Sequence, residues 1–186
     1  MAGKVILGII ILIVLWIIYT FNRLVTLQKR VKEAWADIEV QLKRRYNLIP
    51  NLIETVKGYA AHEKEVFEKV TEARTKAMSA QTVKEKAEAE NFLSSTLKSL
   101  FAVAERYPDL KAIESFTKLM TELRDTEDKI LAARRFYNSV VRDFNTKIDR
   151  FPERLFAKKL GFEKAEFFEI EAEEAEKIKE VPKVKF

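Results

Sequence analysis

The chain has no cysteine, so neither a disulfide framework nor a thiolate metal site can form. Histidine occurs once, at His62. A ferritin-like diiron bundle needs Glu-x-x-His on two helices, and Tyr59 stands where the first Glu belongs. A zincin needs His-Glu-x-x-His; His62-Glu63 begins that motif, but Val66 occupies the second His position. The four glycines, Gly3, Gly8, Gly58 and Gly161, are too scattered for a P-loop or a dinucleotide-binding fingerprint. The serines lack a Gly-x-Ser-x-Gly elbow. No catalytic residue, metal ligand or cofactor site is therefore expected. Proline is also present only four times, and so few breakers imply long elements.

What is present is Ala, Glu, Lys, Leu and Arg, the composition of long helices. The roughly 160 residues beyond the N-terminal apolar run are enough to bury a core without staples. The formal charge of +5 is unevenly spread. Arg23, Lys29, Arg30, Lys32, Lys43, Arg44 and Arg45 crowd one region, whereas Glu163 to Glu180 is mostly acidic. There is no helix of clustered base-reading side chains and no basic motif interleaved with aromatics, which argues against nucleic acid.

Val5 to Phe21 runs without a charge. At the helical rise it spans about 26 Å, the short end of a bilayer core. Tyr19, Thr20, Phe21, Asn22 and Arg23 follow, with no small-residue cleavage pattern, so a retained transmembrane helix is expected rather than a signal peptide. Trp16, Tyr19 and Phe21 sit near one end, as aromatics do at headgroups. Lys4 precedes the run, while Arg23, Lys29, Arg30 and Lys32 follow it. That bias predicts a single-pass inner-membrane protein with its C-terminal domain in the cytoplasm.

Leu24, Leu27, Val31, Ala34, Ile38, Leu42 and Ile49 continue at three- and four-residue steps, a helical face with no breaker between it and the anchor. Pro50 predicts the first break or kink. A second helix is expected over 51–80, with Gly58 inside it reading as a point of close helix packing. Thr82 with Glu85 reads as a capping box for the third helix, which ends near Tyr107-Pro108-Asp109. The fourth, longest helix runs from before Phe116 to Phe151, where Pro152 stops it. Short links between long helices make neighbours antiparallel. The expected fold is all-α: an N-terminal transmembrane helix continuous with an antiparallel up-and-down four-helix bundle. Residues 1–4 form a flank, 5–21 the membrane helix, 22–152 the bundle and 153–186 an aromatic, then acidic tail.

Two sets of residues stand out. Gln41 and Arg45 continue the stripe of Ala34 and Ile38, and Arg134, Asn138 and Asn145 share one with Val141 and Ile148. An unmet polar group beside a core costs about 1–3 kcal/mol, so some of these are expected to join in a structural polar network that fixes register; a solvent-facing stripe and a functional pocket are the other readings. Asp125, Glu127 and Asp128 read as an ordinary salt-bridged surface, since Lys129 follows Asp125 by four. In the tail, Leu155, Phe156, Leu160 and Phe162 are apolar and close together. They either pack across the bundle end or form an interface with a neighbouring subunit or the membrane surface.

The segment from Trp35 to Tyr59 (WADIEVQLKRRYNLIPNLIETVKGY), continued by Ala60-Ala61-His62-Glu63, resembles the LemA family. So do Phe101 to Leu110, Ala133 to Asn138, Asn145 through Phe151-Pro152, Gly161-Phe162 and the terminal Pro-x-Val-x-Phe. The resemblance implies a single N-terminal span, a four-helix up-and-down bundle and no established enzymatic role. It also implies genes that often neighbour a membrane zinc metalloprotease of the HtpX type. Three functions are then weighed: a self-associating membrane scaffold or adaptor, a regulator of a membrane protease, and a lipid-binding or remodelling protein at the membrane surface. The bilayer and further copies of the chain are the expected partners.

Overall fold

A computed structural model describes residues 1–168; the acidic stretch beyond Phe168 and the terminal Pro-x-Val-x-Phe lie outside the described residues. The fold is all-α. Five helices follow in order, α1 (Ala2–Lys57), α2 (Lys64–Ser79), α3 (Val83–Glu105), α4 (Pro108–Lys111) and α5 (Glu114–Asp149), and no strand occurs among the described residues. Two 3-10 turns follow, Glu153–Leu155 and Lys158–Leu160. The four longer helices are those the apolar periodicity marks; α4 is a single turn nucleated by Pro108 at its first position, where a missing N–H costs nothing.

Helix α1 is 56 residues long and contains Pro50. The expected break at Pro50 does not occur. A proline at this position cannot donate to the carbonyl four residues back, at Tyr46. The guanidinium of Arg74 fills that gap, its Nε donating to the Tyr46 carbonyl at 2.8 Å. The expected helix over 51–80 is accordingly two pieces: the end of α1, and α2 from Lys64. Gly58 closes α1 instead of seating a neighbour. It is exposed, and a Cβ there would meet only the Thr55 carbonyl at an ordinary 3.6 Å. His62 lies exposed in the following turn.

The described residues divide into two compact units, Met1–Ile38 with Ala133–Glu166, and Glu39–Ala132 with Phe167 and Phe168. In the first, Leu24, Leu27, Ala34 and Ile38 of α1 and Tyr137, Val141, Phe144 and Ile148 of α5 are buried. Trp35 packs on Tyr137 and Trp16 on Phe156, so rising numbers on α1 meet falling numbers on the returning chain. That is the antiparallel course expected for this pair. From Val5 to Phe21 every side chain except Thr20 is exposed, and α1 is long and apolar enough there to cross a membrane.

In the second unit, α2 and α3 form an antiparallel pair joined by a three-residue link. The link works as the sequence suggests. Thr82 accepts from the Glu85 N–H at 3.1 Å, and Glu85 accepts from the Thr82 N–H at 3.2 Å. The Gln81 N–H, at 3.0 Å, and the Thr82 N–H both donate to the Glu85 carboxyl and hold it below its ordinary range. Phe67, Val70, Leu93, Leu97 and Leu100 are buried in this unit, as are Leu42, Ile49 and Leu52 of α1 and Leu123 of α5.

Candidate functional site

The most unusual chemistry in the second unit is a fully buried arginine. Arg45 is 1% exposed and stands on α1 where the apolar stripe runs into the core. Its Nη1 donates to Glu127 Oε1 of α5 at 2.6 Å and to Ser94 Oγ of α3 at 3.2 Å. Its Nη2 faces the carboxylate of Glu90, also on α3 and 2% exposed. The Tyr46 hydroxyl donates to the other Glu90 oxygen, with the Ala77 carbonyl of α2 at 3.4 Å. Burial pushes the Tyr46 phenol up to about 12, against the lowering pull of the Arg45 charge and with a further push from Glu39.

One guanidinium thus ties α1 to α3 and α5, and the next residue along ties α1 to α2 and α3. An arginine does not give up its proton in a protein, so Arg45 holds one fixed positive charge between two carboxylates and works as a lock between helices. Glu127 remains 40% exposed at its side chain and so keeps part of its hydration. Gln41, one turn before Arg45, is half-buried with its Oε1 lacking a partner.

The other stripe residues belong to the first unit. Asn145 clamps the chain after the 3-10 turns: its Nδ2 donates to the Ala165 carbonyl and its Oδ1 accepts from the Ala165 N–H, both at 2.9 Å. The Tyr137 hydroxyl donates to the Glu166 carbonyl at 2.8 Å. Burial, with the Glu166 charge, pushes that phenol up to about 12. Arg134 and Asn138 are half-buried on α5.

Of the apolar tail residues, Phe162 is buried against Phe21, ring centroids 5.6 Å apart, and Phe156 is half-buried against Trp16 at 5.7 Å. Leu155 and Leu160 stay exposed.

Sequence reasoning missed Glu90, Ser94, Glu127, Tyr46 and Arg74. A signal for the two acids exists. Glu90 precedes Leu93 by three and Leu97 by seven, and Glu127 lies four after Leu123 and three before Ile130, so both sit on apolar faces. Asp125 behaves as an ordinary surface acid, 2.8 Å from Lys129 and 3.5 Å from Arg44. The Lys129 hydrogen bond holds its carboxyl below the usual range.

The model of the LemA family matches residues 34–186. The chain belongs to the LemA family. Protein LemA of Metamycoplasma hominis is 30% identical over 158 residues, covering 84% of this chain and 71% of its own length. Magnetosome protein MamQ 2 of Paramagnetospirillum magneticum is 27% identical over 175 residues, covering 80% of this chain. Magnetosome protein MamQ of Magnetospirillum gryphiswaldense is 26% identical over 174 residues, again covering 80% of this chain. The chain spans only 64% of the length of these magnetosome proteins. None of these names states a chemical activity. Within this LemA-family chain the match includes the Arg45 centre, the Asn145 clamp and Pro50.

Proposed function

We propose that this LemA-family chain is a membrane-anchored, non-enzymatic helical scaffold or adaptor that associates with copies of itself. The observation that carries the reading is the exposed apolar stretch of α1, which continues without a break into the buried face that begins at Leu24. An apolar run bare on all sides is stable only in lipid or against another chain. The charge bias around it favours a bacterial inner-membrane protein with its helical domain in the cytoplasm. Magnetosome relatives named after a cellular body and not after a reaction support an assembling role. Anchoring concentrates copies in two dimensions, so weak lateral contacts suffice for association.

Washing membranes at alkaline carbonate pH tests the anchor, and chemical crosslinking in the same membranes tests association. The full chain is expected to stay in the pellet and to give dimers or larger species. A chain released by carbonate, or one that stays monomeric in membranes and in detergent, overturns the proposal.

A further inference from the structure

In the first unit an open groove of about 300 Å³ lies between α1 and α5. Tyr19, Arg23 and Arg30 line one side of it, and Asp143, Lys147 and Arg150 the other. Tyr19, Arg23 and Arg30 fall on one helical face by their four- and seven-residue spacing, as do Asp143, Lys147 and Arg150. Buried Leu27 closes the α1 side.

The charge in this groove is unbalanced. Four cations face a single carboxylate, Asp143. Lys147 is held by Glu153. Burial opposes ionisation of that Glu153 carboxyl, but the Lys147 hydrogen bond and the Lys147 and Arg150 charges outweigh it and keep it below its ordinary range. Arg23, Arg30 and Arg150 form no ion pair among the described residues. Among the described residues Asp143 is the one carboxylate that lines the groove with these three guanidinium groups, and Glu153, near Arg150, is already paired with Lys147. Such a cluster concentrates anions.

A second observation sets the depth of the groove. Its Tyr19 and Arg23 bracket the end of the apolar run at Phe21. The 3-10 turns that follow α5 pack on that same run, through Phe156 on Trp16 and Phe162 on Phe21. Beside them Phe151 is 81% exposed, Leu155 65% and Leu160 42%. An apolar rim at the level of the last membrane turns, with a cationic groove immediately above it, matches the two halves of a phospholipid.

We infer that this groove binds the phosphate headgroup of an anionic phospholipid, with Arg23 and Arg150 nearest the membrane. The exposed Phe151, Leu155 and Leu160 then lie among acyl chains. Basic pockets at the ends of membrane helices recognise anionic headgroups in this way. The rise from Arg23 to Arg30 is about 10 Å, longer than one phosphate, so a headgroup that extends beyond its phosphate reaches both. The inference rests on the membrane anchorage proposed above.

The test places the full chain in nanodiscs of equal phosphatidylglycerol and phosphatidylcholine and reads the lipids retained by native mass spectrometry. The anionic lipid is expected to be enriched about tenfold or more on the protein, with each groove arginine contributing up to about fivefold. The exposed pair Arg23→Gln and Arg30→Gln, a substitution that keeps helix propensity, should abolish most of that enrichment. The pair Lys29→Gln and Lys32→Gln removes equal charge from the other faces of α1 and should leave it intact. Equal loss in both pairs, or loss in neither, overturns the groove. Displacement of the lipid by millimolar inorganic phosphate alone would assign the site to free phosphate and overturn the lipid. A chain that does not enter the discs overturns the anchor and the groove together; one that enters and shows no lipid preference overturns the groove alone.

Discussion

Removing Arg45 leaves Glu90 buried without its countercharge, and breaking a buried pair from one side costs about 3–5 kcal/mol. Arg45→Met should therefore lower the thermal midpoint of the full chain, followed by circular dichroism, far more than Arg44→Met one residue earlier. Adding Glu90→Leu to Arg45→Met should recover part of that loss, because Glu127 is open to water and can stay charged alone. Tyr46 gives the same centre a pH dependence. Its folded phenol titrates at about 12 against an unfolded value of 10.0, so the folded state holds its proton more tightly. The resulting stability is fully present below pH 10 and is lost as pH rises toward 12, on the order of 2–3 kcal/mol in all. Tyr46→Phe should flatten the alkaline arm of a stability profile while costing about 1 kcal/mol at neutral pH through the lost hydrogen bond to Glu90. An unchanged alkaline slope refutes this account of Tyr46. Arg45 was legible as a polar residue set in an apolar stripe. Its partners were legible only in part: spacing sets Glu90 on an apolar face, but it lies among Glu85, Glu88 and several lysines, and only the packing of α1 on α3 gives its carboxylate a buried guanidinium to meet.

At the scale of elements, periodicity marked the apolar faces of the long helices but set the division between the first two at Pro50 instead of after Lys57, and the Thr82–Glu85 box marked the start of α3. Thr82→Ala should cost about 1 kcal/mol through the lost cap. Pro50 was misleading for a definable reason. Sequence rules for proline count the hydrogen bond it deletes within its own helix, and they have no access to a donor arriving from another. Arg74 is that donor. The pair makes a double-mutant cycle with an expected sign. Arg74→Ala alone should destabilise by about 1–3 kcal/mol, leaving the Tyr46 carbonyl unpaired beside the core. Combined with Pro50→Ala, which restores a backbone N–H to that same carbonyl, Arg74→Ala should cost clearly less. Strict additivity in urea or thermal unfolding, within about 0.5 kcal/mol, would show that the guanidinium does not replace the missing backbone bond.

At the scale of the whole molecule, the absence of cysteine turns into an experimental advantage, because any introduced thiol is the only one. Phe136 lies in the Ala133–Asn138 segment that carries part of the family resemblance, yet it is 57% exposed. A large aromatic in such a place suits contact with another copy better than contact with water. Leu155 is more exposed still, but it sits beside the last turns of the apolar run, where the proposed anchorage would set it against lipid. The two positions therefore separate the two partners. Phe136→Cys should form disulfide-linked dimers when membranes are mildly oxidised, whereas Leu155→Cys should stay monomeric and resist a water-soluble maleimide. Deleting residues 2–21 should abolish the Phe136→Cys dimer at the same cellular concentration. On the scaffold reading proposed above the contact is weak and depends on confinement to the bilayer for its effective concentration, which soluble chains lose. A dimer through Leu155→Cys and none through Phe136→Cys would move the interface to the tail, and a Phe136→Cys dimer that survives loss of the anchor would mean that the helices associate strongly on their own.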